Sequence, residues 1–368
     1  MTTTASAPPA ASVETPRRGE RIELTDVTVA YGSSRVVDGL SLTIGAGEFF
    51  TLLGPSGCGK TTTLRLVAGL LGTSTGSVRI GDRDVTRVPV HRRGIAMVFQ
   101  NYALMPHLTV RQNVGYGLRM RGIRRRERDR QSDAALERVG LTGFGDRYPA
   151  QLSGGQQQRV GLARAVAVRS SIMLLDEPLS NLDTTLRQQM CGELRDLQRD
   201  LGVTILYVTH DRSEALAMSD RIGVMSAGRV LEIGTPSELY QRPQHAQTAR
   251  LLGDVNEFDA IGAGDAVIAA SGHRLPVGVP ADAATIRIGV RPEHVLVGEL
   301  PDGAVALDGL VAHVEFGGTH LSVTAEVDGL GAPIAARLAV DAPTRPAVGQ
   351  RTRLGWHASD TLVFRDAE

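Results

Sequence analysis

The residues best suited to chemistry are Gly54-Pro55-Ser56-Gly57-Cys58-Gly59-Lys60-Thr61. They satisfy the phosphate-binding loop pattern G-x-x-x-x-G-K-[ST] at every fixed position. Glycines let the backbone close around a phosphate, because they tolerate positive φ and carry no Cβ. Successive N–H groups and the start of a helix then face the anion. Lys60 can reach phosphate as a compact charge, and Thr61 can offer a hydroxyl to Mg2+. Lys60 is also the only lysine in the chain; every other basic residue is arginine. Ammonium and guanidinium are not interchangeable in a phosphate cradle. A bias toward arginine accounts for the depletion of lysine, but not for this exception.

Four further groups extend the pattern. Ser153-Gly154-Gly155-Gln156 opens a predicted helix and offers a second anion site, with a cap hydroxyl, close backbone approach and a positive dipole end. The apolar run Ser171–Leu175 ends in Asp176-Glu177, and carboxylates at a strand's C-terminal end sit where open α/β sheets bind ligands. Asp176 suits Mg2+, and Glu177 beside it is a candidate base. His210 tips another buried strand, Val203–Val208. A lone histidine there is ordinarily structural, but the neighbouring strand ends already carry chemistry. Gln100 ends the strand Ile95–Phe99.

The elements that must position these groups read as alternating strands and helices. Strands are expected over residues 21–29, 36–44, 48–53 and 77–80, with helices after Thr61 and over 110–120. Tyr31, which closes the first strand, could stack on a base or simply pack. The loop Asn101–Leu108 contains Tyr102, Ala103, Leu104, Met105 and Pro106, which suits either a docking surface or internal packing. Residues 119–130 hold seven arginines against Glu127 and Asp129, either an anion-binding patch or a solvated helical face. After about residue 255 the pattern changes to short strands between Gly, Pro and Asp turns, expected over 266–269, 285–290, 304–316, 321–327, 334–340, 351–356 and 361–364. That is an all-β module, read as a small barrel.

Bulk composition narrows the classes. The 40 basic and 40 acidic residues balance, so no global charge points to nucleic acid. Two cysteines, Cys58 and Cys191, give no disulfide framework or metal spacing, and fit a reducing compartment. No apolar run approaches the roughly 18 residues of a membrane helix. Residues 1–20 are rich in Thr, Ala and Pro without an apolar core, and are read as a disordered tail rather than a signal peptide.

In order along the chain, Gly54–Thr61, Gln100, Leu152–Gln156, Asp176–Glu177, Ser180–Asp183 and His210 resemble the P-loop, Q-loop, signature, Walker B, D-loop and H-loop of ATP-binding-cassette (ABC) ATPases. Leu152-Ser153-Gly154-Gly155-Gln156 separates them from other P-loop proteins. Gly289–Val295 looks like the start of the TOBE segment of importer ATPases, and Met97–His107 resembles the polyamine, ferric-iron, phosphonate, sulfate and sugar importers. The resemblance implies an α/β fold, a P-loop NTPase ABC cassette over residues 21–252, with a C-terminal all-β, OB-like TOBE domain over 253–368. It implies ATP and Mg2+ as cofactors. The nucleotide contacts would be Tyr31, Gly54, Pro55, Ser56, Gly57, Cys58, Gly59, Lys60, Thr61, Thr62 and Asp183. Ser153, Gly154, Gly155 and Gln156 would reach the ATP of a second, head-to-tail copy. Thr61, Gln100 and Asp176 would hold the metal, Glu177 would orient and deprotonate water, and His210 would steady the γ-phosphate.

By the same resemblance, the partners are separate permease subunits, reached through the loop after Gln100, and indirectly a solute-binding protein. The location is the cytoplasmic face of the membrane. A soluble ABC ATPase of DNA repair or translation is the main alternative. Only 90 residues separate Thr61 from Leu152, too few for a repair-type coiled coil, and there is one cassette rather than two. A regulatory ATPase with a ligand-sensing β domain is the third reading.

Overall fold

The computed structural model describes residues 19–262, 267–269, 272, 274–275, 286–342 and 344–364. The tail expected over residues 1–20 lies outside the described residues except for Gly19 and Glu20, as do the first residues of the strands expected at 266 and 285. The described residues divide into two compact units. One runs to Arg221 and includes Met225–Arg229; the other takes Ile222–Val224 and continues from Val230. The boundary expected after residue 252 falls within the second unit.

The first unit begins with β1 (Ile22–Tyr31), β2 (Ser34–Ile44) and β3 (Phe49–Leu53), followed by α1 (Lys60–Ala68). Next come β4 (Thr75–Ile80), β5 (Arg83–Asp84) and β6 (Ile95–Val98), then α2 (Val110–Met120), α3 (Arg125–Arg138) and α4 (Gly154–Ala167). It continues through β7 (Ile172–Asp176), α5 (Thr184–Leu201), β8 (Thr204–Thr209) and α6 (Arg212–Met218). β2-β1-β4-β5 form an antiparallel sheet. β3, β8, β7 and β6 lie side by side and parallel. β3, β7 and β8 are buried along their whole length, which is why they read as unbroken apolar runs rather than alternating ones.

The parallel register aligns Leu53 with Thr209, Asp176 with Val208 and Val98 with Leu175. The C-terminal ends of the four strands therefore share one edge, and each is followed by a candidate site residue. The helices start where the sequence supplies caps. Thr109 with Gln112 caps α2, Ser153 with Gln156 caps α4, and Asp183 caps α5, each side-chain oxygen accepting from a first-turn N–H.

The loop after Gln100 is in part internal packing: Tyr102 is buried and Leu104 packs against the core, while Ala103, Pro106 and His107 are exposed. In the arginine-rich stretch, Arg125 and Arg128 pair with Asp129, and Arg130 with Glu127. That matches the reading of a solvated helical face.

β9 (Arg221–Ser226) and β10 (Arg229–Gly234) carry the chain into the second unit. There follow α7 (Pro236–Gln241), α8 (Ala246–Leu252), β11 (Asn256–Gly262), β12 (Val267–Ala269), β13 (Arg274–Leu275), β14 (Ile286–Val290) and β15 (Leu296–Val297). β16 (Val305–Phe316), β17 (His320–Val327), β18 (Ile334–Ala339), β19 (Arg351–Trp356) and β20 (Leu362–Phe364) complete it. The strands form two five-stranded antiparallel sheets, β13-β12-β11-β14-β20 and β15-β19-β16-β17-β18. Phe258 and Ile288 of the first share one barrel-like core with Leu307, Val323, Leu354 and Trp356 of the second. Among the described residues, no helix is long and apolar enough to cross a membrane.

Candidate active site

β3 delivers the chain to Gly54, where side-chain space runs out. A Cβ there would stand 2.2 Å from the Met225 carbonyl oxygen and 2.8 Å from Cys58 Sγ. At Gly59 a Cβ would stand 2.6 Å from the Val36 carbonyl, and φ is 105°. Gly54 requires glycine by contact alone, and Gly59 by contact and by its positive φ. The loop then opens α1, whose first N–H groups and dipole face the same concavity. Lys60 is buried and folds back over the loop. Its Nζ donates to the carbonyl oxygens of Gly54 at 2.7 Å and Pro55 at 2.9 Å, with Cys58 Sγ at 3.8 Å. Burial pushes the Cys58 thiol up, against the pull of Lys60, so it stays neutral beside the loop.

The next residue, Thr61, donates its hydroxyl to Asp176 Oδ1 at 2.9 Å. This joins the first turn of α1 to the end of β7. Burial raises the Asp176 carboxyl above its ordinary range, while the Thr61 hydroxyl, Arg65 and Lys60 work the other way. Two hard oxygen donors in contact suit Mg2+, which keeps waters and substrate oxygens in its shell instead of needing an all-protein cage. Among the described residues there is no group of three or more His, Cys, Asp and Glu that could hold a metal by themselves.

Glu177 leaves the strand at φ 45°, its N–H donating to the Val208 carbonyl at 3.0 Å. That left-handed turn sends its carboxylate away from Asp176 and toward β8, where Oε2 lies 3.1 Å from His210 Nδ1. His210 is set in turn by its neighbours. The Thr209 hydroxyl donates to the buried Glu214 carboxylate at 2.6 Å, and the Tyr207 hydroxyl donates to the same oxygen at 2.8 Å. Burial raises Glu214 above the usual carboxylate range despite those two donors.

The structure brings together Lys60 with the loop, Thr61 with Asp176, and Glu177 with His210. Gln100 donates to the Ser180 hydroxyl and accepts from Asn181 at its backbone carbonyl, both at 3.4 Å, and so sits beside the loop after Glu177. Thr62 lies in the first turn of α1. Tyr31 is 55 % exposed at the end of β1, its ring free of the core. Ser153 and Gln156 bond each other's backbone N–H groups. Among the described residues, no hydrogen bond joins Ser153–Gln156 to Gly54–Thr61 of the same chain. Asp183, expected at the nucleotide, spends one carboxylate oxygen on the Leu186 N–H at 3.0 Å.

Sequence reasoning missed Glu214 and Arg187. Arg187 donates to the Leu182 carbonyl at 2.8 Å and to Asp211 at 3.0 Å, tying the loop before α5 to the residue after His210. Glu214 three residues after Asp211 reads as a first-turn acid of a capped helix, and nothing in that pattern marks it as buried.

Comparison with known proteins identifies the family. The family described as ABC transporter matches residues 37–180, and the family described as TOBE domain matches residues 288–364. The Fe(3+) ions import ATP-binding protein FbpC of Escherichia coli O157:H7 is 43% identical over 351 residues, covering 94% of this chain and 98% of the relative. The protein of the same name from Photorhabdus laumondii is 46% identical over 312 residues, covering 84% and 88%. A solved dimeric ATP-binding cassette in a post-hydrolysis state, bound to ADP and Pi, aligns with TM-score 0.54 at 31% identity, covering 58% of this chain and 98% of that one. The chain belongs to the ABC transporter family, as an ATP-hydrolysing cassette with a C-terminal TOBE domain.

Proposed function

We propose that this ATPase energises an importer, working as a head-to-tail pair docked on separate permease subunits at the cytoplasmic face of the membrane, with ferric iron as the transported solute. The observation that carries the catalytic part is a double pairing around the end of β7: Thr61 of α1 with Asp176, and Glu177 with His210 at the neighbouring strand end. Support for the import part is the shared name of relatives that match this chain over most of their length.

In this reading, Gly54–Thr62 surround the phosphates, Lys60 exchanging its carbonyl partners for phosphate oxygens. Tyr31, open to solvent, supplies a face for adenine. Thr61, Asp176 and Gln100 would hold Mg2+, which would supply charge neutralisation at the phosphates. Glu177 accepts the proton of the attacking water, and His210 fixes that carboxylate and meets the γ-phosphate. Ser153–Gln156, whose caps are satisfied within α4, present their helix start to the ATP of the second copy. Asp183 reaches the nucleotide only through the remaining acceptor capacity of its capping carboxylate. A solute-binding protein supplies the cargo from the far side.

The test is genetic and chemical together. In cells whose own copy is replaced by the Glu177→Gln variant, uptake of radiolabelled ferric iron is lost while polyamine and phosphonate uptake continue. Unchanged iron uptake refutes the substrate, and loss of one of the other solutes reassigns it.

A further inference from the structure

The loop that follows Gln100 holds an uncommon backbone conformation. Tyr102 and Ala103 have positive φ in succession, 55° and 46°. Neither is glycine, and L-residues meet steric resistance there. Two such residues persist only where their surroundings over-determine them. The surroundings are one face of α4. Arg164 Nη1 donates to the Ala103 carbonyl at 2.7 Å, and Nη2 to the Tyr102 carbonyl at 2.5 Å. Three residues earlier on the same helix, Gly161 lies against Tyr102, whose Cβ is 3.6 Å from where a Gly161 Cβ would stand, an ordinary packing distance. The half-buried guanidinium thus grips two consecutive carbonyls with a planar fork, a geometry that one ammonium does not reproduce.

The gripped residues stand two and three positions after Gln100, which faces Ser180 and Asn181. The helix that grips them starts at the Ser153 cap. One rigid element therefore carries the signature residues at its N-terminus and the loop's anchor further along.

We infer that Arg164 is a positioning residue for ATP hydrolysis: it fixes the Tyr102-Ala103 kink on the signature helix and thereby sets the place of Gln100. The inference rests on the proposed role of Gln100 at the nucleotide. ATP binding by Gly54–Thr61 does not pass through this contact, whereas turnover needs Gln100 in place. Losing the clamp lowers kcat and spares KM.

Steady-state ATP hydrolysis by the purified full chain tests it. Arg164→Met keeps the stem and removes the fork, so kcat should fall about tenfold, the scale of hydrogen bonds to a charged group, with KM nearly unchanged. Adding Ala103→Gly should recover about threefold or more, because glycine takes positive φ without strain. A general packing role for Arg164 would not respond to a glycine at exposed Ala103. If Arg164→Met fails to fold, Ala103→Val in the otherwise native chain decides. It is a surface change whose β-branched side chain resists positive φ, and kcat should fall with KM unchanged. Native kcat in Arg164→Met, no recovery from Ala103→Gly, or native kcat in Ala103→Val overturns the inference. A native rate in Glu177→Gln sinks the active-site reading and the inference with it. A slow Glu177→Gln beside an unaffected Arg164→Met sinks the inference alone.

Discussion

Glu177 Oε2 lies 3.1 Å from His210 Nδ1, across the ends of two neighbouring parallel strands. The contact exists because Glu177 leaves β7 at φ 45°, while Asp176 stays in the strand and turns to Thr61. Consecutive carboxylates are thereby separated by backbone geometry: one is buried against α1, the other faces a histidine at the next strand end. A non-glycine residue held at positive φ in such a place is strain that the surrounding sheet must sustain.

The division of labour predicts that binding and chemistry separate at this pair. Glu177→Gln keeps the shape and the contact to His210 but removes the proton acceptor. General-base loss slows turnover by about 10²–10⁴-fold. Lys60 and Thr61 are untouched, so ATP affinity should stay at or above the wild-type level and the protein should accumulate as an ATP-bound dimer. Phosphate release, measured beside size-exclusion with and without ATP, checks both halves. Turnover within a few-fold of wild type would move the base to another residue.

Lys60 offers a test of the cradle itself. Its ammonium is buried and already held between two carbonyl oxygens at 2.7 and 2.9 Å. A charge-assisted phosphate contact is worth about 1.5–3 kcal/mol, so Lys60→Ala should weaken ATP binding by roughly 10- to 150-fold. Lys60→Arg should fail as well, because a planar fork does not fit the space between Gly54 and Pro55. Equilibrium binding of a fluorescent ATP analogue measures both variants. Native affinity in the arginine variant refutes the steric part.

The permease contact can be probed without disturbing the fold. Leu104 is unsuitable, because it packs against the core. Pro106 and His107 are exposed in the same loop. Replacing both by Asp should leave the isolated ATPase rate unchanged and abolish co-purification with co-expressed permease, since unpaired charge is costly in a closed interface. Undiminished permease capture would exclude this loop as the docking element.

The candidate site residues are legible in the sequence because their spacing is local. Eight consecutive residues specify the loop of Gly54–Thr61, and Asp176-Glu177 follows a run whose burial is readable from its apolar composition. Arg164 and Arg187 are not legible, nor is the contact that forbids a side chain at Gly54, although the loop pattern itself calls for glycine there. Each depends on a partner far along the chain: Tyr102 and Ala103 for the first, Asp211 for the second, the Met225 carbonyl for the third. β11 was missed for a related reason. Asn256, Glu257 and Asp259 disfavour strands by propensity, and pairing with β14, Phe258 opposite Ile288, and with β12 makes the segment extended. The sequence leaves Tyr102 and Leu104 open between docking surface and internal packing because nothing local reveals that α4 lies against Tyr102 and the core against Leu104.

Asp176 gives the last prediction, in which stability and ligand response move in opposite directions. Burial holds its carboxyl above the ordinary value of 3.8, against the Thr61 hydroxyl and the charges of Arg65 and Lys60. Between the ordinary value and the raised one, the folded form therefore keeps a proton that the unfolded chain releases. Stability from this group is present below the ordinary value and declines as pH rises toward the raised one. At neutral pH the charged, buried side chain is a net cost to the ligand-free protein. Asp176→Asn removes that cost and retains an oxygen for the Thr61 hydroxyl at the same 2.9 Å position. The variant should melt above wild type at neutral pH without nucleotide, and the gap should narrow as pH falls toward the carboxylate range. With ATP present, adding Mg2+ should raise the melting temperature of wild type but not of the variant, because charge neutralisation at the β- and γ-phosphates is lost with the carboxylate. Differential scanning fluorimetry across pH, with ATP plus either Mg2+ or EDTA, reads both effects. A lower melting temperature for ligand-free Asp176→Asn at neutral pH contradicts the burial account, and a surviving Mg2+ increment removes Asp176 from the metal site.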